Sequence, residues 1–316
     1  MRLVMMGTGP FGEPTFRKLY ELPHQVVGLV TGRPRPRRGR RTEAPSQLRQ
    51  IALEHGTPVY EPEDVNGREF RPQLLEFRAD LWVVCDYGQI LSADTLAAAR
   101  LGGINVHASL LPKYRGAAPI QWAIYHGEST TGVSIIHMTP QLDAGPIIAQ
   151  AGTSIAPEET AEDLERRLAY IASTLMPNVL NALEKGAVKP IPQDPAKASK
   201  APRLKKTDGL IDWSRPAQAI RNQIRAVQPW PTAYTFWHRA QSPPLRLILG
   251  PVEVEETVTL ESPGTVVEAV GDRLRVATGQ GLVRLSSLQP AGKRMLSVEE
   301  FLRGYPLKAG HRFGPP

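Results

Sequence analysis

Residues 2–12, RLVMMGTGPFG, set an unbroken apolar run, Leu3–Met6, directly against a glycine-rich turn. A short apolar run without alternation fits a strand buried on both faces, as in the middle of a parallel sheet. An amphipathic stretch, Thr15–Leu22, follows, and then the β-branched run Gln25–Thr31. Strand, glycine turn, helix and strand together open a βαβ unit. Outward from there the alternation continues. Pro45–His55 predicts a helix, Thr57–Tyr60 a strand, Phe70–Phe77 a helix and Asp80–Cys85 a strand. Ser92 caps a helix running to Arg100, Gly103–Val106 is a strand, Pro119–Gly127 a helix, and Thr131–Met138 a strand. The pattern predicts an α/β fold, a Rossmann-like (nucleotide-fold-like) parallel sheet with helices on both faces.

Ile147–Ser154 adds a strand, and Thr160–Lys185 a long helix closed by Gly186. The texture then changes: residues 186–207 carry four Pro and five Lys with no apolar period. This divides the chain into an N-terminal domain, 1–188, a linker, 189–207, and a smaller C-terminal domain, 208–316. In the last, after a helix at Pro216–Ala226, come short strands at Ala233–Trp237, Leu245–Val254, Gly264–Val270, Arg273–Ala277 and Leu282–Ser286. Short strands between turns predict a small β-barrel of OB-like kind.

Composition narrows the class. The chain has 316 residues, 41% hydrophobic and 22% charged, enough for a core and too little charge for wholesale disorder. No apolar run approaches the ~20 residues of a membrane helix, and the opening run is shorter than the roughly 7–15 residues of a signal-peptide core. Cys85 is the only cysteine and sits in WVVCDYG, the setting of a packed core thiol. A reducing cytoplasm is the expected location.

Net charge is +7, and it is unevenly placed. Residues 201–316 hold 16 basic and 10 acidic side chains, a net of +6, and Arg33–Arg41 (RPRPRRGRR) holds six Arg and no acid. Without that run, the rest of residues 1–200 is net −5. An Arg run is either a solvated loop or an arm that contacts phosphates. Pro34, Pro36 and Gly39 exclude a regular helix, and Arg suits forked phosphate contacts. Two separated basic regions fit a large polyanion, with DNA, RNA and an acidic protein all open at this point.

Gly7–Gly12 (GTGPFG) matches the G-x-G-x-x-G dinucleotide fingerprint, and Arg33 could meet the 2′-phosphate of NADP. Against this, the second strand ends without an acid, and Pro10 removes a backbone donor beside the phosphate path. The alternative is a tight strand-to-helix turn.

Chemistry concentrates in Asn105–Gly145, NVHASLLPKYRGAAPIQWAI followed by GVSIIHMTPQLDAG. In extended backbone, Asn105 and His107 point to one face at the carboxyl end of a strand, where open α/β sheets bind ligands. Asp143 follows in a turn that can aim a carboxylate back at His107. Amide, imidazole and carboxylate without a nucleophile suit polarisation and proton transfer. Ser109 lacks the G-x-S-x-G context of a nucleophile, and the histidines lack metal-ligand spacing. A purely structural His107 is the plain alternative.

Asn105-Val106-His107, Ser109-Leu110-Leu111-Pro112, Arg115–Ile120 and Asp143 resemble the folate-dependent formyltransferases. The basic loop, Ile211-Asp212-Trp213, Pro229-Trp230-Pro231 and Ser287–Lys293 resemble the branch of that family that acts on aminoacyl-tRNA. The resemblance spans nearly the whole chain. It implies a formyltransferase catalytic domain followed by a tRNA-binding barrel. The formyl donor it implies is 10-formyltetrahydrofolate, and the acceptor is the methionine amine of initiator Met-tRNA. Neither metal, membrane nor DNA is implied, and the chain is expected to be a monomer. It makes Asn105, His107 and Asp143 catalytic, and gives Ser109, Leu110, Leu111, Pro112, Tyr87 and Gly88 to the folate. Arg37, Arg38, Arg40, Arg41, Arg203, Lys205, Lys206 and Lys293 go to the tRNA. The chain departs from the family pattern at Asp86, where a small residue is expected before Tyr87-Gly88, and at Arg203, where Lys is expected.

Overall fold

The apolar run after Arg2 becomes β1 (Arg2–Gly7), whose residues from Leu3 onward are buried. The structure, a computed structural model, describes residues 1–33, 46–240 and 242–316. They form two compact units: Met1–Pro119 with Thr130–Ser154 and Leu164–Pro202, and Ile120–Ser129 with Ile155–Asp163 and Arg203–Pro316.

In the first unit β1 lies in a seven-stranded sheet with β2 (Gln25–Val30), β3 (Val59–Tyr60), β4 (Leu81–Cys85), β5 (Gly103–His107), β6 (Thr130–His137) and β7 (Ile147–Ser154). The spatial order is β3-β2-β1-β4-β5-β6-β7. The first five strands run parallel, and the order reverses between β1 and β4, the switch point where such sheets bind ligands. The parallel sheet read from the sequence is these five strands; β6 runs antiparallel to both β5 and β7. Residues 138–146 join β6 and β7 directly, and a parallel crossover needs a dozen or more residues.

Helices α1 (Glu13–Tyr20), α2 (Gln47–Glu54), α3 (Arg71–Glu76) and α4 (Ala93–Ala97) connect the parallel strands. Ser92 caps α4 as expected, its Oγ accepting from Thr95 N at 3.2 Å. The helix stops short of Arg100, because the Arg100 and Leu101 amides turn to Ala79 O and Asp80 O. Val4, Met6, Val30, Leu74, Phe77, Trp82 and Val84 form a buried cluster with Tyr87. Each such side chain contributes roughly 1.5–3 kcal/mol on burial. Further along lie α5 (Pro119–Tyr125) and α6 (Ala161–Glu184).

The second unit carries α7 (Ala217–Ala226) and nine strands: β8 (Tyr234–Arg239), β9 (Ser242–Leu249), β10 (Val252–Glu255), β11 (Val266–Val270), β12 (Arg273–Ala277), β13 (Leu282–Leu285), β14 (Ser287–Pro290), β15 (Leu296–Ser297) and β16 (Arg312–Gly314). They form two antiparallel sheets, β10-β13-β12-β11 and β15-β14-β9-β8-β16. The run Leu245–Val254, read as one strand, is two strands in different sheets. At the corner, Gly250 lies so close to Ser287 that a Cβ would overlap its side chain. A helix absent from the sequence reading, α8 (Val298–Gly304), starts at a capping box formed by Ser297 and Glu300.

Candidate active site

β5 ends at His107, so alternation along the strand brings Asn105 and His107 to one face at the sheet's carboxyl edge. Asp143 stands in the turn after β6 at φ +48°, a left-handed conformation that Asp tolerates better than most residues. Its buried carboxylate is the hub. Oδ1 accepts from Asn105 Nδ2 at 3.0 Å, and Oδ2 accepts from Gly116 N at 2.9 Å. Oδ2 also faces His107 Nδ1 at 3.6 Å. The other ring nitrogen, Nε2, lies 2.9 Å from Tyr114 O. A carbonyl only accepts, so Nε2 carries the proton in that contact. A second proton arriving at Nδ1 would therefore meet the Asp143 carboxylate.

The sequence brought Asn105, His107 and Asp143 into view; Gly116 stood within the Arg115–Ile120 stretch with no role of its own. Gly145, two residues past Asp143, is equally constrained: a Cβ there would overlap His137 O.

The Ser109–Pro112 loop is held by hydrogen bonds of its own. Ser109 Oγ donates to Lys113 O at 2.7 Å, and Ser109 O accepts from Ser134 Oγ at 2.6 Å. Leu111 N donates to Ser134 Oγ at 3.0 Å, and Gln150 Nε2 donates to Leu111 O at 2.9 Å. Leu111 packs with Ile136 and Ile147, and Leu110 is half-buried over Gly132 and Gly152. The Tyr87 ring turns into the sheet core, where its hydroxyl finds no partner among the described residues and burial pushes its pKa up. Gly88 is exposed at φ +83°.

Arg203, Lys205, Lys206 and Lys293 are exposed in the second unit. Arg37, Arg38, Arg40 and Arg41 lie outside the described residues. Among the described residues no group of three or more His, Cys, Asp or Glu could hold a metal ion, and no helix is long and apolar enough to cross a membrane.

The glycine turn after β1 is stitched to the loop after β4. Thr8 N donates to Asp86 O at 3.0 Å, and Gly32 N donates to Thr8 Oγ1 at 3.0 Å. A Cβ at Gly9 would overlap the Asp86 carboxylate. In dinucleotide sites the second glycine leaves room for the pyrophosphate. Here a carboxylate takes that room, and its charge repels a phosphate. The turn joins strand to helix, and Asp86 is part of its packing.

Two family profiles match the chain, Formyl transferase over residues 1–180 and Formyl transferase, C-terminal domain, over residues 203–306. The methionyl-tRNA formyltransferase of Rhodopirellula baltica is 43% identical over 328 aligned positions, covering 100% of this chain and 97% of that one. That of Citrifermentans bemidjiense is 40% identical, covering 99% and 96%. Among solved structures, an N-formyltransferase from Helicobacter canadensis complexed with folinic acid and dTDP-3-aminofucose superposes with a TM-score of 0.68 at 16% identity, covering 91% of this chain and 98% of that one. HypX from Aquifex aeolicus in complex with tetrahydrofolic acid gives 0.61 at 16%, covering 96% and 47%. The two structural likenesses concern the fold, whereas the identities span both domains, and by them the chain belongs to the methionyl-tRNA formyltransferase family.

Proposed function

We propose that this chain transfers the formyl group of 10-formyltetrahydrofolate to the α-amino group of methionine on initiator Met-tRNA, giving N-formylmethionyl-tRNA for translation initiation. The observation that carries the reading is the Asp143 carboxylate, held between the Asn105 amide and the His107 ring at the carboxyl edge of the sheet.

The donor supplies an electrophilic formyl carbon, and the new bond forms between that carbon and the methionine nitrogen. Charge develops on the formyl oxygen. Asn105 Nδ2 has two hydrogens and gives one to Asp143, so the second is free for this oxygen. One such donor contributes roughly 2.7–4 kcal/mol in comparable sites. His107 Nδ1, on the Asp143 side, takes the proton that the amine sheds, and the carboxylate stabilises the resulting imidazolium. The proton then passes to the folate nitrogen as its bond to the formyl carbon breaks.

The strand ends beside Asn105 suit the pterin of the donor. With the Tyr87 ring turned inward, the exposed residues Asp86 and Gly88 are left to meet a flat heterocycle edged with donors and acceptors. Ser109–Pro112 would shape the pocket as a rigid wall, Leu110 being its partly open member. Arg37, Arg38, Arg40 and Arg41 are assigned to the acceptor stem, and Arg203, Lys205, Lys206 and Lys293 to further phosphates, which accounts for both basic regions. The reading takes the chain as a cytoplasmic monomer; its one cysteine, Cys85, is free and buried.

The test supplies the protein with 10-formyltetrahydrofolate and initiator Met-tRNA, with elongator Met-tRNA and free methionine alongside. N-formylmethionine on the initiator alone is the expected product. Formylation of a small amine in its place would overturn the choice of acceptor.

A further inference from the structure

The first half of the segment read as a linker is built into the catalytic unit. Ile191 and Ile147 exchange backbone hydrogen bonds of 2.8 Å in both directions. Ser199 O accepts from Arg115 N at 2.8 Å, and Ser199 Oγ accepts from Tyr114 N at 2.9 Å. Ala201 N donates to Arg115 O at 2.7 Å, and Ala201 O accepts from Ala118 N at 3.1 Å. Residues 191–201 thus form a strap tied at one end beside β7 and at the other to the loop 114–118.

Gln193 stands between these ties and uses its whole side-chain amide. Nε2 donates to Asp143 O and to Gly145 O, both at 2.8 Å. Oε1 accepts from Arg115 Nε at 3.1 Å and Nη2 at 2.7 Å. A carboxamide offers two hydrogens and two lone pairs, and all four are taken. Two of the bonds fix the backbone on either side of Ala144, in the turn that presents Asp143. The other two fix Arg115, the residue before the amide that binds Asp143 Oδ2. One side chain therefore joins both supports of one carboxylate.

We infer that Gln193 is a positioning residue that holds Asp143 in register with Asn105 and His107. The inference rests on the reading that Asp143 takes part in the transfer. No other side chain of this length reproduces the four bonds. Glu keeps Arg115 but turns an oxygen toward two carbonyl oxygens, and Met makes none of the bonds.

The test is a mutant cycle on the full chain, read in single-turnover and steady-state formylation of initiator Met-tRNA. Q193M is expected to lower kcat about 10- to 100-fold, with KM for tRNA and for folate changed by less than about twofold. In a D143N background the same substitution is expected to slow the reaction no further, because its effect is transmitted through Asp143. A merely structural glutamine would instead multiply its loss with that of D143N, and this outcome overturns the inference, as does wild-type kcat in Q193M. If Q193M fails to fold, Q193E carries the same cycle, with a loss at least as large expected. Full activity in D143N alone would remove the catalytic reading of Asp143, a failure distinguishable from that of Gln193.

Discussion

Gly116 gives its backbone N–H to Asp143 Oδ2 from φ +125°, and a Cβ at Gly116 would stand 2.5 Å from Ala201 O. Any side chain must therefore move either the strap or the loop, and the Asp143 contact moves with the loop. Gly116→Ala is expected to cost on the order of 1–3 kcal/mol of stability and to lower kcat at least tenfold. Thermal unfolding run beside formylation kinetics measures both. Wild-type values for the two together would contradict the role given to this amide.

Asp143→Asn isolates charge from shape. Asn accepts the left-handed conformation at φ +48° and fills the same volume. The expected result is a fall in kcat of about 100-fold or more, with tRNA affinity close to wild type. His107→Ala is expected to act in the same direction. Turnover near wild type in either variant would remove that residue from the mechanism.

Stability should decline in two stages as pH falls. His137 is half-buried, and burial lowers its pKa from the ordinary 6.5. A base with a depressed pKa contributes stability that is complete above its ordinary value and lost as pH falls through the lowered one. Burial also lowers His24 and His126. The first stage therefore begins near pH 6.5 and is shared, so His137→Gln flattens only part of it. Asp80 accepts from Arg2 N at 2.7 Å and from Arg100 Nε at 2.7 Å, and these bonds hold its carboxyl below the ordinary 3.8. Its contribution is complete above that value and lost beneath it; Glu300, held low by its hydrogen bond from Arg294, shares this second stage, so Asp80→Asn removes only part of it. Urea denaturation between pH 8 and 3 resolves the two.

Neutralising Arg37, Arg38, Arg40 and Arg41 should weaken use of the tRNA without changing the KM for the folate. The plot of log KM for tRNA against log salt should lose about 0.7–0.9 of slope for each phosphate contact removed. An unaltered slope would reduce the loop to solvated surface.

What could be read from the sequence was local. Leu3–Met6 and Leu81–Cys85 announce buried strands because both of their faces are covered. The two-residue spacing of Asn105 and His107 announces a shared face. Ser297 and Glu300 announce a helix start as plainly, through the capping box they form. Gln193 carries no such mark, and Gly116, though inside the Arg115–Ile120 stretch, shows nothing there of its contact with Asp143. Their bonds to Asp143 span 50 and 27 residues, and nothing in a short window of sequence records a contact of that reach. The reversed direction of β6 escaped for a related reason: alternating strands and helices fix neither the edge at which a strand re-enters the sheet nor its direction.

The strap also bears on when the site can assemble. Asn105, His107 and Asp143 have all been synthesised once residue 143 is in place. The ties at Ile191, Gln193, Ser199 and Ala201 come only later, and the Tyr114–Ser199 bond closes a span of 85 residues. Closing a loop of that size has an entropic cost that local contacts do not share, and it slows the search for the native pairing. A nascent chain would thus hold Asp143 without its frame until the strap emerged, and a fragment ended at residue 188 would stay in that condition permanently.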